Sequence, residues 1–399
     1  MRKIDPDNFK RATRDTPREV NRRILLNLVR ERQPISRADL ARTMDIARGT
    51  ITALVNELIE EGLVREGDTA DAPRGRKPTL LHIRAHDRLA VGVDIQRSKT
   101  HVLLSDFNGR AIARDHFRTP TSPEELVETI IGRVEDLLDT HSHVGTCLGV
   151  GVVVPGVVEG TGRVLNAPTL GWTDVDLKTP VQEALGLHVQ VERDAVAGAL
   201  ARIWLGDPSD NDASSFVYLI VAEGVGTGLV VNGQVVRGCD HAAGEVGHVS
   251  LTLDGPLCSC GSHGCLEAYT SDAATVARYL ERAGPGRRRH EVSIGDVVRL
   301  AGEGDECGEQ AVMATARYLG MGVAAVINVL NPEVVIVGGE IARVWRLVEP
   351  SIREQVSART LTAAAAATPI VPELSHGQQR LRGATALIMA PIFAAPQLA

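Results

Sequence analysis

The feature that most restricts the fold is a run of strands that occurs twice. Ala90–Ile95 reads as a strand and His101–Asp106 as a second, and Asn108-Gly109 turns the chain into a third at Ala111–Phe117. An Asn-Gly pair between apolar runs is the strongest short hairpin signal, because both residues tolerate positive φ. A helix over Pro123–Thr140, with Leu126, Ile130, Val134, Leu137 and Leu138 inward, leads to a buried strand at Cys147–Val154. The opening of this order returns at Phe216–Val221, Gly228–Val231 and, after Asn232-Gly233, Gln234–Val236. A helical Val312–Leu330 then feeds Val334–Val337. Strands interleaved with helices, in duplicate, imply two related α/β lobes.

The first 88 residues follow another plan. Val20, Ile24, Leu25, Leu28 and Val29 recur at helical spacing up to Arg32, and Pro34 stops that helix. Ser36-Arg37-Ala38-Asp39 has the form of a capping box opening a short second helix to Met44, with Ala38, Leu40 and Ala41 inward. A third helix starts near Ala47 or Arg48, turns Ile51, Leu54, Val55, Leu58 and Ile59 to one side, and ends at Gly62. The short tether between the second and third helices is the helix-turn-helix signature, so Arg48, Thr50, Thr52 and Asn56 are candidates to face base edges in a major groove. Leu63-Val64-Arg65 and Thr79–Ile83 flank a polar stretch carrying Arg74, Arg76 and Lys77, which reads as a β-wing with a basic tip for phosphates or a narrow minor groove.

Charge follows the same division. Residues 1–90 hold 19 Lys and Arg against 14 Asp and Glu, and the remainder 24 against 36, so only the N-terminal part suits a polyanion. No apolar run approaches the length of a membrane span, and the charged N-terminus runs into no signal-peptide core. A cytoplasmic protein on nucleoid DNA is therefore expected.

Cys258, Cys260 and Cys265 lie within eight residues, ten residues beyond His248, with glycines at 255, 261 and 264. One imidazole and three thiolates make a closed tetrahedral shell, the arrangement of a structural Zn2+ site with no position for an activating water. Cys147, Cys239 and Cys307 read as small core residues.

Together Gly151–Val157, Ala167–Trp172, Glu192-Arg193-Asp194-Ala195, Gly226-Thr227-Gly228, Ala243–His248 and Cys258–Glu267 resemble the ROK family of repressors, open reading frames and kinases. The resemblance implies the duplicated, RNase H-like lobes of actin-like sugar kinases behind the winged helix-turn-helix. Division into residues 1–88, a first lobe of 89–195 plus 375–399, and a second lobe of 196–374 with the zinc loop is expected. It also implies that Glu245, His248 and Glu267 bind sugar hydroxyls, that the backbone around Gly156 closes the pocket, and that Asp194 matches the kinases' catalytic base.

The chain departs from the kinases where phosphates would lie. They carry Asp-x-Gly-Gly-Thr after the first strand, where only glycine lets the backbone approach a triphosphate. Here the residues are Asp94-Ile95-Gln96-Arg97-Ser98, although Gly226-Thr227-Gly228 and Gly338-Gly339 remain. Thr169 and Arg193 also stand where the family has asparagine, and Arg193 could pair with a phosphosugar or neutralise Asp194. The expected function is a sugar-responsive, non-enzymatic transcriptional repressor acting on double-stranded operator DNA as a homodimer or homotetramer. Its effector, a sugar or phosphosugar, shifts lobe closure and is relayed through residues near 84–90. The alternative is an ATP-dependent sugar kinase with an accessory N-terminal domain.

Overall fold

A computed structural model describes residues 18–69, 78–206, 213–284, 292–373 and 378–394. The N-terminal head begins with α1 (Arg18–Arg32), which buries Ile24, Leu25, Leu28 and Val29. After β1 (Ile35–Ser36), the capping box opens α2 (Arg37–Met44): Ser36 Oγ accepts the Asp39 amide at 3.2 Å while the Asp39 carboxylate accepts the Ser36 amide at 3.3 Å. Such caps stabilise a helix by about 0.5–2 kcal/mol. In α2, Met44 is buried and Ala38 only half-buried, because the helix turns its last rather than its first turn inward. α3 (Arg48–Glu60) buries Ile51, Leu54, Val55 and Leu58, with Ile59 half-buried. β2 (Val64–Thr69) and β3 (Thr79–Ile83) pair antiparallel and β1 adds to β3, which makes the wing. Its expected basic tip, Arg74, Arg76 and Lys77, lies outside the described residues.

The first lobe runs β4 (Arg88–Ile95), β5 (Lys99–Asp106), β6 (Ala111–Arg118), α4 (Pro123–Thr140) and β7 (Thr146–Val154). A small antiparallel sheet follows, β8 (Val157–Val158), β9 (Arg163–Ala167) and β10 (Trp172–Asp176), and then α5 (Lys178–Leu185), β11 (Val189–Arg193) and α6 (Asp194–Leu205). The second lobe holds β12 (Phe216–Val221), β13 (Val225–Val231), β14 (Gln234–Val235), the loop with the three cysteines, α7 (Leu266–Thr270), α8 (Asp272–Ala283), α9 (Ile294–Gly302) and α10 (Glu306–Leu330). It closes with β15 (Val334–Gly339), α11 (Trp345–Arg359), α12 (Ala363–Ala366) and β16 (Ile370–Pro372), and α13 (Gln378–Phe393) ends the fold.

The repeat is explicit in the sheets. One has the order β6-β5-β4-β7-β11 and the other β14-β13-β12-β15-β16, with the first two pairings antiparallel and the last two parallel in each. The uninterrupted apolar run Phe216–Val221 is buried throughout, as a central strand covered on both faces must be. The two Asn-Gly turns differ. Asn232 and Gly233 both take positive φ, 52° and 71°, as a type I′ turn requires. At the first turn only Gly109 does, and the Asp106 carboxylate instead accepts the amides of Asn108 and Arg110 at 2.9 Å each.

The fifth strand of each sheet is followed by a helix that crosses to the other sheet, α6 from β11 onto β12 and β13 and α13 from β16 onto β4 and β7, and these two helices pack against each other between the sheets. Small residues permit it. A Cβ at Gly383 would stand 2.0 Å from the Ala197 carbonyl oxygen, and one at Gly151 1.8 Å from that of Ala384. One buried apolar cluster runs from the head's Leu25 and Leu28 through Trp204 and Phe393 to Tyr218 and Ile336.

Two expectations need correction. Cys239 is exposed beside Asp240, not a core residue, because it sits in the irregular segment after β14; Cys147 and Cys307 are half-buried. And α10 is long and apolar enough to cross a membrane, the only such helix among the described residues, but it packs against α8, α9 and α11 in the core of the second lobe.

Candidate functional site: an interlobe cleft and an exposed helix

The cleft is lined by the Pro155-Gly156 turn and Pro168-Thr169 from the first lobe, Arg193-Asp194-Ala195 at the β11–α6 junction, and Gly224–Thr227, Glu245, His248, Ser259 and Glu267 from the second. Gly156 has φ 112°, and a Cβ there would lie 2.3 Å from the Asn166 carbonyl oxygen, so only glycine makes this wall. The Thr169 hydroxyl is buried with no hydrogen-bond partner among the described residues. A buried hydroxyl left unpaired costs about 1–3 kcal/mol, so the cleft is short of a polar group at that point.

Its carboxylates are held in different ways. Glu267 is 8% exposed and takes the Val225 amide on Oε2 at 3.0 Å and the Ser259 hydroxyl on Oε1 at 2.7 Å. Glu245 Oε1 accepts from Arg193 Nη1 at 2.6 Å, and Arg193 Nη2 reaches the Ala243 carbonyl at 2.7 Å. With a side chain 5% exposed, Arg193 has its guanidinium taken up by Glu245 and the Ala243 carbonyl. Its neighbour Glu192 is paired with Arg237.

Asp194 accepts the Ala195 amide at 2.7 Å and faces Arg380, whose Nη1 lies 3.7 Å from its Oδ2. Arg380 Nε is also 3.4 Å from Asp94 Oδ2, which accepts a hydrogen bond from Gln96 Nε2 at 2.7 Å. Burial pushes the Asp194 carboxyl up, with Arg380 and the Ala195 amide pulling the other way. Burial likewise opposes the Arg380 charge, yet Asp94 and Asp194 hold its guanidinium above the usual arginine range. Across the cleft the Arg97 amide donates to Glu223 at 3.1 Å. Thus Gln96 and Arg97 put side chains on the turn after β4, where the kinases' glycines let backbone approach a triphosphate, and Gln96 and Arg380 both lie against Asp94 at its start. Sequence reasoning missed Arg380, one of two arginines at the start of α13, in a segment far from Asp94 and Asp194 along the chain.

At the edge of the cleft His248, Cys258, Cys260 and Cys265 come together, their ligand atoms all within 4.8 Å of one another, in an arrangement that could hold a metal ion. His248 Nδ1 is 3.6 Å from Cys258 Sγ, and its Nε2 is 3.9 Å from Glu245 Oε2, so one imidazole joins the cysteines to the cleft. Gly261 and Gly264 turn the loop at φ 88° and 70°. Without a cation, burial pushes the Cys258 thiol up to about 12, whereas backbone hydrogen bonding at Ser262 lowers that of exposed Cys260.

On the head, Arg48, Thr50, Thr52 and Asn56 are exposed along one side of α3. Among the described residues no side chain caps α3 at Ala47, which leaves the amides of its first turn without a side-chain acceptor there, as suits a phosphate. Thr52 Oγ1 is bonded to the Arg48 carbonyl at 2.8 Å, and Asn56 Oδ1 accepts from Arg37 Nη2 at 3.3 Å.

Residues 90–390 match the model of the ROK family, and residues 16–75 that of the MarR family. The chain is 30% identical over 358 residues to the xylose repressor of Caldicellulosiruptor bescii, covering 87% of this chain and 89% of that protein. Among solved structures it is similar to a ROK family transcriptional regulator homologous to the Escherichia coli Mlc protein, with TM-score 0.82, 26% identity and coverage of 95% and 97% of the two chains. It is also similar to a ROK family glucokinase from Streptomyces griseus, solved with glucose and AMPPNP, at TM-score 0.67, 27% identity and coverage of 75% and 98%.

Proposed function

The chain belongs to the ROK family, with a MarR-type winged helix ahead of the ROK segment, and on that premise we propose that it is a sugar-responsive, non-enzymatic repressor of carbohydrate-metabolism genes. The observation that carries this reading is the pairing of Asp94 with Gln96 and Arg380 at the phosphate end of the cleft, beside a polar sugar end that includes the unpartnered Thr169 hydroxyl. A pocket of this kind can bind hydroxyls, and the side chains of Gln96 and Arg97 stand where a triphosphate needs glycine backbone.

The units are residues 1–88 for the operator, and lobes 89–195 plus 375–399 and 196–374 for the effector. Gly156, Asp194, Glu245, His248 and Glu267 surround the effector, and Arg193 positions Glu245. Because Arg193 is already held by Glu245 and the Ala243 carbonyl, a neutral sugar fits better than a phosphosugar. D-xylose is the first candidate, from the relative's name.

The metal is Zn2+, structural, on His248, Cys258, Cys260 and Cys265. A zinc tetrahedron with metal–sulfur bonds of about 2.3 Å has sulfur–sulfur edges of about 3.8 Å, and Cys260 Sγ and Cys265 Sγ are 3.8 Å apart. When bound, the ion keeps the thiols deprotonated and fixes the His248 ring, so that its second nitrogen keeps one direction towards the cleft. Arg48, Thr50, Thr52 and Asn56 read the major groove, and Arg74, Arg76 and Lys77 touch the backbone or minor groove. The protein works in the cytoplasm on nucleoid DNA as a homodimer or homotetramer.

The test is ATP consumption over a panel of neutral sugars, run beside a mobility shift on duplex from the chain's own upstream region. Operator binding without turnover supports the repressor; sugar-dependent ATP consumption without operator binding supports the kinase.

A further inference from the structure

Resting on the reading of the cleft as an effector site, we infer that Arg380 is the positioning residue through which the cleft governs the DNA-binding head. The helices α6 and α13 each have one end in the cleft and the other on α1. At the cleft end, Arg380 of α13 bridges Asp94 and Asp194, the latter being the first residue of α6. At the far end, Asn27 Nδ2 donates to the Phe393 carbonyl at 2.7 Å and Arg23 donates to the carbonyls of Pro391 and Ile392. Arg30 donates to the Trp204 carbonyl and lies over the Phe393 ring, 4.6 Å from its centre.

Asn27 is completely buried, so this is a packed joint and not a surface touch. From α1 the contacts continue to α3 and its C-cap, through Arg18 with Glu57 and Arg22 with Glu61. A second link through residues 84–90 exists: Arg88 donates to the Gly62 carbonyl at 3.1 Å, and the Phe107 amide to that of Ala85 at 3.1 Å.

The physical reason is competition for one carboxylate. An effector hydroxyl that donates to Asp194 Oδ2 competes with Arg380 for that oxygen, which weakens this side of the bridge and shifts the guanidinium towards Asp94. Because α13 meets the first-lobe sheet and α6 backbone to backbone at Gly151 and Gly383, it can answer only by moving as a unit with its far end. A ligand shifts such an equilibrium only by its differential affinity for the two arrangements, and the Arg380 bridge is present in one of them.

Hydrogen–deuterium exchange of the full-length protein, without sugar or DNA, tests this. Arg380→Met is expected to speed exchange over residues 20–31 about tenfold, or about 1.4 kcal/mol of local stability. Residues 216–221 and 334–337, which open with the whole fold, should speed up by no more than the fall in global stability that urea melts record for the same variant, and Arg380→Lys should stay close to wild type. Acceleration confined to 92–96, 194–197 and 378–382 overturns the inference. Should Arg380→Met unfold the whole chain, Asn27→Ala decides from the other end, because coupling is reciprocal. Faster exchange at 378–382 supports the relay, and an unchanged cleft end contradicts it. A third arm adds D-xylose or D-glucose to wild type. If neither alters exchange in the cleft, the neutral-sugar reading fails while the variants still judge the relay; if one protects the cleft and leaves 20–31 unchanged, the relay fails.

Discussion

Arg380 and Asp194 hold related places in the two halves of a duplicated fold, one within the first turn of the helix after β16, the other at the start of the helix after β11, and they face each other at 3.7 Å with opposite charge. The first prediction concerns their energetics. Removing one partner of a buried pair costs about 3–5 kcal/mol because the other charge is left uncompensated, whereas removing both costs little. Arg380→Met should therefore lower the urea midpoint sharply, and adding Asp194→Asn, which leaves Asp94 its hydrogen bond from Gln96, should recover part of the loss. Additive losses in the double variant would show that the pair is not coupled.

For the metal loop, the expected content is one zinc per chain, lost in Cys260→Ser or Cys265→Ala with a clear fall in Tm. Thiols must lose their protons to bind, and burial holds Cys258 up to about 12 without a cation. Zinc uptake should accordingly release protons, and its affinity should rise between about pH 6 and 8. Elemental analysis with calorimetry in two buffers of different ionisation enthalpy reads both quantities.

A third prediction follows from Asp272. Burial, helped by Glu340 and Glu223, pushes its carboxyl up to about 7 from an ordinary 3.8. The folded chain then binds this proton more tightly than the unfolded chain, so the contribution of Asp272 to stability falls as pH rises from about 4 to about 7. Asp272→Asn should raise Tm at pH 8, leave it nearly unchanged at pH 4, and flatten the profile between them. An unchanged profile in thermal melts would refute this.

In the head, Arg48→Ala should cost about 1–3 kcal/mol of operator binding and relax selectivity at one base pair. Arg76→Ala should instead weaken every duplex alike and reduce the salt slope by about 0.9. Binding isotherms at several salt concentrations, on operator and scrambled duplex, separate the two. The described pairing of Arg37 with Asn56 adds that Arg37→Ala should leave Asn56 freer to meet a base.

Much of the fold was legible because its signals are local. The capping box at Ser36, the Asn-Gly turns and the apolar run Phe216–Val221 each announce an element within a few residues, and the repeated order announces the lobes. The loop around Cys258–Cys265 was legible for the same reason. Arg380 was not, since its partners lie about 190 and 290 residues away along the chain and nothing in Gln378–Phe393 marks one arginine as buried. Nor was the docking of α1 on Phe393 and Trp204, where Asn27 and Arg30 read as the polar side of an ordinary amphipathic helix. Arg193 shows the converse: its identity was visible, but only the position of Glu245 tells what its guanidinium does.

On our proposal this cleft senses a sugar without transforming it and passes occupancy to the head. Fluorescence anisotropy of labelled operator duplex, titrated with protein with and without D-xylose or another neutral sugar, tests it most directly. Affinity should fall by about tenfold or more with at least one sugar, equivalent to about 1.4 kcal/mol of coupling, and show no such loss in Arg380→Met. Operator affinity that stays the same across every sugar, or a protein that ignores the duplex while consuming ATP, would contradict it.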